Sequence, residues 1–398
     1  MPKTVVLGVT GGIAAYKACD IVSRLKKEDI DVNVIMTKHA TEFVAPLTFQ
    51  SLSQNYVTVD MFEPPKNWDI EHIALAKKAD VFLIAPATAN LIGKISSGIA
   101  DDMLTTTLMA TKAPVVIAPA MNTNMYENPI TQRNIKDLEA LGYHFIEPGC
   151  GRLACADIGR GKLADVDTIV DYTLFMLNKT DELKGKKVVV TAGPTVEAID
   201  PIRYITNRST GKMGYAIAYE AALRGADVTL VTGPTNLKIP FGIKEAIEIK
   251  SSRDMYEAVY SNFKDADILI KSAAVADYRP KNIYSSKIKK KDDDLKLELE
   301  RTDDILKSMG ELKENQIIVG FAAETDDLIE NAKGKIEKKN LDFIVANDVK
   351  QEGAGFANET NIVKIISRDS NIESLPIMSK KELSKVICDK IIDTIHKR

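Results

Sequence analysis

The chain has 398 residues, of which 45% are hydrophobic and 27% charged, and its formal net charge is −3. This ordinary globular composition excludes a strongly basic nucleic-acid binder or membrane-surface protein, and the length favours about two or three domains. Because no apolar run is as long as a membrane span, and the opening segment MPKTVVLGVTGG enters a strand directly, we expect neither a membrane helix nor a signal peptide.

Strands and helices alternate along the first half of the chain. Short β-branched runs predict strands at Val5–Thr10, Val32–Thr37, Val81–Pro86, Val115–Pro119 and His144–Glu147. Apolar residues at helical spacing predict helices at Ile13–Lys27, at Ile70–Lys78, after Asn90, at Pro129–Leu141 and at Val166–Leu177. This alternation is typical of βαβ units, in which a parallel sheet has helices on both faces.

The polar segment NKTDELKGKK predicts a linker, after which the same alternation begins again. The second half is predicted to form strands at Val188–Ala192, Val228–Thr232, Ile268–Ala274, Ile317–Ala322 and Phe343–Ala346, and a helix at Met213–Arg224. The predicted fold class is therefore α/β, with domains at residues 1–180 and 181–398. Each is expected to be a Rossmann-like, mostly parallel sheet with helices on both faces, and the halves show no repeat that can be aligned.

The segment IYSSKIKKKDDDLKLELER, residues 283–301, departs from this pattern. Leu295, Leu297 and Leu299 alternate with charged residues and KKKDDD is typical of a turn, so the segment predicts a hairpin. A hairpin that follows a strand of the main sheet is either a mobile flap over a site or a solvated charged hairpin.

Two segments of the first half place small and polar residues after strands. Gly11 and Gly12 follow the first strand without the G-x-G-x-x-G spacing, which leaves a mononucleotide phosphate site or a tight turn as interpretations. Thr88 and Asn90 follow the third strand, and Asp101 comes a dozen residues later. Hydroxyl and amide groups at the carboxyl ends of parallel strands suit a polar ring system such as a flavin.

His72 is one of four histidines and is a candidate general base. Asp69 is predicted to cap the helix that follows, which places His72 in the first turn, where the helix dipole disfavours the imidazolium. His39 is the competing candidate, and a capping or surface histidine is the plainer alternative. His144 and His396 show no pattern that indicates function.

The strand at residues 114–120 ends in Met121 and Asn122, which places an amide at the edge of the sheet where ligands bind. Further on, the glycine-rich segment PGCGRLACADIGRGKLAD contains Cys150 and Cys155. Cys155 is a candidate reactive thiol, with a metal site as the weaker alternative. The chain has four cysteines and no C-x-x-C pair, so reduced thiols and a cytoplasmic location are expected.

In the second half, polar residues again follow predicted strands. Asn207 precedes STGKMG, where a helix N-terminus could hold a phosphate, although the segment is not a P-loop. Asp277 could hold a divalent cation bound to nucleotide phosphates or could simply form a turn. Lys335 and Lys339 share a helix face that suits a triphosphate, with a solvated basic face as the alternative.

His72 together with APATAN, PAMN and ACADIGRG resembles the flavin-dependent cysteine decarboxylases, in the branch that acts on 4′-phosphopantothenoylcysteine. The resemblance implies a flavoprotein-like domain in which FMN oxidises the cysteine carbon, CO₂ leaves and the hydride returns. It assigns His72 as the base, Asn122 to the substrate carboxylate and Cys155 to the final protonation. Tyr126 stands where some members have Trp. The residues expected to contact FMN are Gly11, Gly12, Thr37, Thr88, Asn90 and Asp101.

The segments AGPTVEAIDPIRYITNRSTGKMG, AAVADYRP, SKIKK, GFAAET and KKNLDFIVAND resemble the phosphopantothenate–cysteine ligase domain. The resemblance implies that CTP and 4′-phosphopantothenate form an acyl-cytidylate, from which cysteine displaces CMP. It assigns Asn207 to that step, Lys287 to an active flap and Asp277 to Mg²⁺. The residues expected to contact the nucleotide are Asp277, Lys287, Asp303, Asp304, Ile305, Leu306, Phe321, Lys335 and Lys339.

With both resemblances in this order, the chain is identified as a member of the bifunctional coenzyme A biosynthesis family. That family implies two consecutive steps, ligation of cysteine to 4′-phosphopantothenate and decarboxylation to 4′-phosphopantetheine. It also implies a homo-oligomer, trimer-based and plausibly a dodecamer, with FMN between subunits. The alternatives are a flavin prenyltransferase and a regulatory flavoprotein, but the latter has a long acidic tail that this chain lacks.

Overall fold

A computed structural model describes residues 2–62, 70–152, 158–289, 296–324, 328–348, 360–369 and 371–398. The chain divides into two compact units, Met1–Asn178 and Lys179–Arg398. Among the described residues, no helix is both long and apolar enough to cross a membrane.

The first unit is built on a five-stranded parallel sheet. Its strands are β1 (Thr4–Val9), β2 (Asp31–Met36), β3 (Val81–Ala87), β4 (Val115–Pro119) and β5 (His144–Phe145), followed by an antiparallel pair, β6 (Gly149–Arg152) and β7 (Ile158–Lys162). Its helices are α1 (Ala15–Lys27), α2 (Pro46–Ser53), α3 (Glu71–Lys78), α4 (Ala89–Ser96), α5 (Met103–Ala110), α6 (Thr123–Glu127), α7 (Pro129–Ala140) and α8 (Val166–Asn178), besides a 3₁₀ helix at Lys38–Glu42.

The order of the strands in this sheet is β2-β1-β3-β4-β5, and all neighbouring pairs are parallel. Every residue of β1 and β3 is buried, which explains why these strands read as continuous apolar runs rather than alternating ones. The strand order reverses direction between β1 and β3. In open parallel sheets a ligand binds at this switch point, beyond the carboxyl ends of the two strands.

The second unit is built on a larger mixed sheet. Its strands are β8 (Lys187–Ala192), β9 (Val196–Ala198), β10 (Tyr204–Thr206), β11 (Asp227–Thr232), β12 (Ile243–Glu248), β13 (Ile268–Lys271), β14 (Tyr278–Pro280), β15 (Leu299–Arg301), β16 (Ile317–Glu324), β17 (Phe343–Asp348), β18 (Thr360–Asn361), β19 (Val363–Ser367), β20 (Ile372–Ser374) and β21 (Met378–Ser379). Its helices are α9 (Lys212–Leu223), α10 (Ser252–Phe263), α11 (Ile305–Leu312), α12 (Leu328–Lys338) and α13 (Lys380–His396).

The order of the strands in the larger sheet is β12-β11-β8-β13-β16-β17-β19-β20. The six strands from β12 to β17 are parallel, whereas β19 and β20 are antiparallel to their neighbours. The parallel part has the order of a doubly wound dinucleotide-binding sheet, and its direction reverses between β8 and β13. The α/β prediction is therefore confirmed, with a switch point in each unit.

The charged hairpin predicted at residues 283–301 differs from the structure in its first strand. β15 pairs antiparallel with β14, so that Tyr278 faces Arg301 and Pro280 faces Leu299. The residues at 283–289 form no strand, because the alternation that predicted the hairpin is present only in its second half. Most of the predicted KKKDDD turn lies outside the described residues.

Candidate active sites of the two units

A cavity of about 780 Å³ lies at the switch point of the first unit, a volume typical of small-molecule sites. Thr10, which follows β1, and Thr88, which follows β3, both line it. The Thr10 hydroxyl donates to the carbonyl oxygen of Pro86 at 2.7 Å and accepts from the Thr88 amide at 3.1 Å. These bonds hold the carboxyl ends of β1 and β3 together, so the rim of the cavity is fixed by the sheet itself.

Most of the residues predicted to contact the flavin line this cavity. They are Gly11, Thr37, Thr88, Asn90 and Asp101. Gly12 is not among the lining residues, but a Cβ there would meet Thr88 Cγ2 at 3.8 Å, so it lies directly behind the wall. Asp101 accepts from Lys94 Nζ at 2.7 Å, and this hydrogen bond lowers the pKa of the Asp101 carboxyl. The cavity therefore presents hydroxyl and amide groups beside a compensated ion pair.

The two candidate bases lie in different places. His39 lines the cavity, and a Cβ at Gly11 would lie 2.5 Å from His39 Cβ, so glycine is required at that position for close packing. His72 is in the first turn of α3 as predicted, is partly buried, and is not among the residues that line the cavity. The predicted cap Asp69 lies outside the described residues, and Ile70 occupies the cap position without a side-chain bond.

The start of α3 is bonded to the edge of the sheet. Glu71, next to His72, accepts a hydrogen bond of 2.6 Å from the Thr58 hydroxyl. Thr58 in turn forms a parallel bridge with Ile35 of β2. These contacts fix the first turn of α3, and with it His72, beside β2.

The glycine-rich hairpin β6–β7 packs against the segment that contains Asn122. The Met121 amide donates to the Gly161 carbonyl oxygen at 2.9 Å, and Asn122 Oδ1 accepts from the Asn124 amide at 2.8 Å, which caps α6. Gly161 has φ +134°, and a Cβ there would overlap the Met121 carbonyl oxygen. The glycines of β7 therefore allow two backbones to approach, whereas Cys155 lies outside the described residues.

We expect Gly161→Ala to loosen this contact. Alanine is strained in the backbone conformation of Gly161, and its Cβ overlaps the Met121 carbonyl oxygen. The free energy of locally opening the contact between β7 and Met121 should therefore fall by roughly 1–3 kcal/mol. Hydrogen–deuterium exchange of the Met121 amide, which donates to Gly161, should accelerate accordingly. Gly93→Ala is the control, because a Cβ there makes an ordinary contact with Asn134 Nδ2 at 3.7 Å. Equal exchange rates in the two variants would contradict this account of the hairpin.

Tyr126 lies at the buried end of the same segment. Its hydroxyl donates to Glu147 Oε2 at 3.1 Å. Burial and the nearby Glu147 charge raise the pKa of Tyr126 to about 12, so the phenol keeps its proton. Tyr126 thus places a buried aromatic ring where some family members have Trp, and its hydroxyl group is already hydrogen-bonded to Glu147.

A cavity of about 540 Å³ lies at the switch point of the second unit. The start of α9 approaches it closely, since a Cβ at Gly214 would lie 2.6 Å from Ala192 Cβ of β8. Gly211 precedes α9 with φ +79°, a conformation that favours glycine. These two glycines bring the N-terminus of α9 to the crevice between β8 and β13.

The second cavity brings together residues that are far apart in the sequence. The predicted residues that line it are Asn207, Asp277, Leu306, Phe321, Lys335 and Lys339. Asp304 is behind Lys339, whose ammonium it binds at 2.8 Å. Burial alone would raise the pKa of Asp304. The hydrogen bonds from Lys339 and from the Lys307 amide outweigh burial, so the pKa of Asp304 is lowered.

Three other predicted nucleotide contacts do not line this cavity. Ile305 is 2% exposed and packs in the hydrophobic core of the unit. Asp303 is exposed and pairs with Arg253 at 3.4 Å. Lys287 is exposed on the loop that follows β14.

The loop that contains Lys287 is attached to the body of the unit by a buried carboxylate. Asp200 accepts from Arg203 Nη2 at 2.6 Å and from the Ile288 amide at 3.2 Å. Arg203 also donates to the Ile288 carbonyl oxygen at 2.9 Å. The hydrogen bonds from Arg203, followed by those from backbone amides, hold the Asp200 pKa well below its usual range. The sequence does not predict these bonds from Asp200 and Arg203, which fix Ile288, the residue next to Lys287.

The polar side chains that line the second cavity without having been predicted include the following three. Asn347 and Asn361 each have a buried side-chain oxygen without a hydrogen-bond partner among the described residues. The third is Lys271, at the end of the apolar strand β13. A lysine that ends an otherwise apolar central strand was the signal available in the sequence. No cluster of three metal-ligating side chains occurs in the part of the chain that the structure describes.

Family models match both units of the chain. The model described as "Flavoprotein" matches residues 1–178, and the model described as "DNA/pantothenate metabolism flavoprotein C-terminal domain" matches residues 183–395. The first match supports a flavin as the ligand of the first unit.

Two curated relatives align over almost the whole chain, and both are named "Coenzyme A biosynthesis bifunctional protein CoaBC". The protein from Bacillus subtilis (strain 168) is 52% identical, covering 98% of this chain and 96% of its own length. The protein from Borreliella burgdorferi is 46% identical, covering 97% of this chain and 98% of its own length. A crystal structure of a C-terminal domain with the same protein name is 42% identical, covers 55% of this chain and all of that chain, and has a TM-score of 0.48.

Proposed function

The chain belongs to the family of bifunctional coenzyme A biosynthesis proteins, and from this premise we propose that it performs two consecutive reactions of that pathway. The second unit joins cysteine to 4′-phosphopantothenate with CTP, and the first unit decarboxylates the product to 4′-phosphopantetheine. The observation that carries this proposal is the match of full-length bifunctional relatives across both units, each of which has a cavity at its switch point. A prenyltransferase or regulatory flavoprotein would not require the second unit.

For the first unit we propose FMN as the cofactor. Thr37, Thr88 and Asn90 offer hydroxyl and amide groups suited to a flavin ring, and this donor set supports the assignment. When bound, FMN supplies the two-electron oxidation and reduction that the decarboxylation needs. The chain itself must bind the substrate, orient its carboxyl group and move protons.

Three residues are proposed for those tasks. His72 accepts the thiol proton of the substrate, which an imidazole does well near neutral pH. Asn122 binds the departing carboxylate, because an amide donates a hydrogen bond without a full charge that would resist CO₂ loss. Cys155 returns a proton in the final step, an assignment that rests on its position in the ACADIG segment.

For the second unit we propose that CTP binds in the cavity between β8 and β13. Lys335 and Lys339 compensate the charge of the phosphates, and Asp304 holds Lys339 in place by their 2.8 Å ion pair. Asp277 is the proposed protein ligand of Mg²⁺. A single carboxylate is compatible with this ion, which often takes its remaining ligands from water and substrate phosphates. Asp303 and Lys287 remain proposals that require their loops to move, and Ile305, whose side chain packs in the core, remains a proposal through its backbone only.

We also propose a homo-oligomer, trimer-based and plausibly dodecameric, in which a neighbouring subunit completes the flavin site. Phe43, Phe62 and Met125 line the first cavity and are 49%, 86% and 49% exposed. Large apolar side chains at the mouth of a polar cavity are typical of an interface. His72 and Asn122 are outside the cavity lining of their own subunit, which is consistent with a site shared between subunits.

The test uses the purified full-length protein. It should be yellow with bound FMN, release pyrophosphate from CTP in the presence of 4′-phosphopantothenate and cysteine, and release CO₂ from 4′-phosphopantothenoylcysteine. ATP in place of CTP should support much slower pyrophosphate release. A colourless protein that does not take up FMN would overturn the decarboxylase assignment, and equal turnover with ATP would overturn the choice of CTP.

A further inference from the structure

Lys271 occupies the centre of the second unit. It is the last residue of β13 and lines the cavity at the switch point. In the sheet register its neighbours are Thr191 of β8 and Gly320 of β16. Register neighbours point to the same face of a sheet. The space at Gly320 is filled by Leu341 and Leu306, which also line the cavity, since a Cβ there would lie 2.8 Å from Leu341 Cδ1 and 3.4 Å from Leu306 Cδ1.

The Lys271 ammonium makes no hydrogen bond or ion pair with any residue within the described ranges. Burial, followed by the charge of Lys339, lowers the pKa of Lys271 to about 8, while Asp304 and Asp277 act in the opposite direction. Lys313, another partly buried lysine of this unit, instead pairs with Asp342 at 2.7 Å. A partly buried cation without a counter-ion is unfavourable, and an anionic ligand in the cavity would remove the penalty.

We propose that Lys271 binds the phosphate chain of the nucleoside triphosphate used by the second unit, an inference that rests on the function proposed above. The charged groups that act on Lys271 are Lys339, Asp304, Asp277 and Lys335. All four belong to the set assigned to the nucleotide and its Mg²⁺. A phosphate ester on the acyl substrate offers similar chemistry, and residues 207–210 line the same cavity, so the experiment must distinguish the two phosphates.

The experiment compares Lys271→Met with Lys264→Met in the full-length protein. Methionine keeps the length of the side chain and removes its charge, and Lys264 is an exposed lysine in the turn before β13. CTP binding is measured by calorimetry with Mg²⁺ present. We expect Lys271→Met to weaken CTP binding by about tenfold or more, Lys264→Met to leave it unchanged, and Lys271→Arg to restore part of it. The apparent KM values for 4′-phosphopantothenate and cysteine should stay within about twofold.

Stability gives a second readout. Removing an unpaired, partly buried charge should leave the ligand-free Lys271→Met protein at least as stable to heat as the wild type. A clear fall in Tm would indicate a structural lysine and overturn the inference.

Several results separate this inference from the proposed function. If the wild type releases pyrophosphate from CTP and Lys271→Met binds CTP equally well, the inference is wrong and the function stands. If the variant loses affinity for 4′-phosphopantothenate alone, the lysine serves the other phosphate and the inference is again wrong. If the wild type neither binds CTP nor releases pyrophosphate, the proposed function fails, and the inference fails with it.

Discussion

His72→Asn should abolish CO₂ release and leave FMN bound. Asparagine keeps a hydrogen-bonding side chain of smaller size but does not accept a proton at neutral pH. A positioned general base contributes about 10²–10⁴-fold to a rate, so we expect decarboxylation to fall by that order. His72 is not among the residues that line the first cavity, which is why the flavin absorbance should persist.

The matched control for this prediction is His39→Asn. His39 lines the cavity and is the other candidate base, so the variant should alter FMN affinity more than it alters turnover at saturating FMN. In both variants, far-UV circular dichroism and thermal unfolding report whether the first unit has folded, and pyrophosphate release from CTP reports the second unit. Loss of CO₂ release in His39→Asn, with normal release in His72→Asn, would reverse the assignment.

The sequence predicts the central strands of both sheets well because these strands are buried along almost their whole length. Val115–Pro119 was placed at its observed bounds, and all five strands of the first sheet were identified. Short apolar runs that are rich in β-branched residues and bounded by turn residues favour buried parallel strands. Ligand-facing polar residues could then be predicted, since they follow those strands directly.

The errors arise where tertiary contacts decide the structure. The strand predicted at Ile268–Ala274 ends at Lys271, because the amides of Ala273 and Ala274 bond to Thr191 Oγ1 and to the Gly193 carbonyl oxygen instead. Composition alone does not distinguish an apolar turn from an apolar strand, so the sequence places Lys271 inside a strand and does not predict that it lines a site.

A second error concerns neighbouring residues on one helix. The segment Asp303–Leu306 was assigned to the nucleotide as a block. In the structure Asp304 caps α11, which turns Ile305 into the core and Leu306 to the cavity wall. Consecutive residues of a helix point in different directions, so a motif match transfers to individual side chains only after the helix start is known.

Asn207→Asp should stop ligation after the nucleotide has reacted. Asn207 Nδ2 donates to the carbonyl oxygens of Ala274 and Val275 at 3.2 and 3.1 Å, which binds the loop before α9 to the loop after β13. An aspartate has no donor for these carbonyls and places anionic oxygens against them. The side chain should therefore turn away, and the acyl group should lose the residue that orients it for attack by cysteine.

Formation of the acyl-cytidylate depends on other groups. Lys335 and Lys339 lie on α12 and just beyond it and are not bonded to Asn207, so nucleotide binding should survive the substitution. We expect one burst of pyrophosphate, accumulation of acyl-cytidylate, and formation of 4′-phosphopantothenoylcysteine reduced by about 10²-fold or more. Rapid-quench assays with labelled CTP and mass spectrometry of the quenched mixture measure all three.

Asn262→Asp is the control, because Asn262 Nδ2 also donates to a backbone carbonyl oxygen, that of Ala258 at 2.9 Å, but within α10 and not at the cavity. It removes the same kind of hydrogen bond and adds the same charge, so a general loss of stability would appear in both variants. Accumulated acyl-cytidylate in Asn207→Asp alone would identify the amide as a group that acts between the two chemical steps. Intact CTP with no pyrophosphate would instead place Asn207 in nucleotide binding, and product formation at the wild-type rate would remove it from the mechanism.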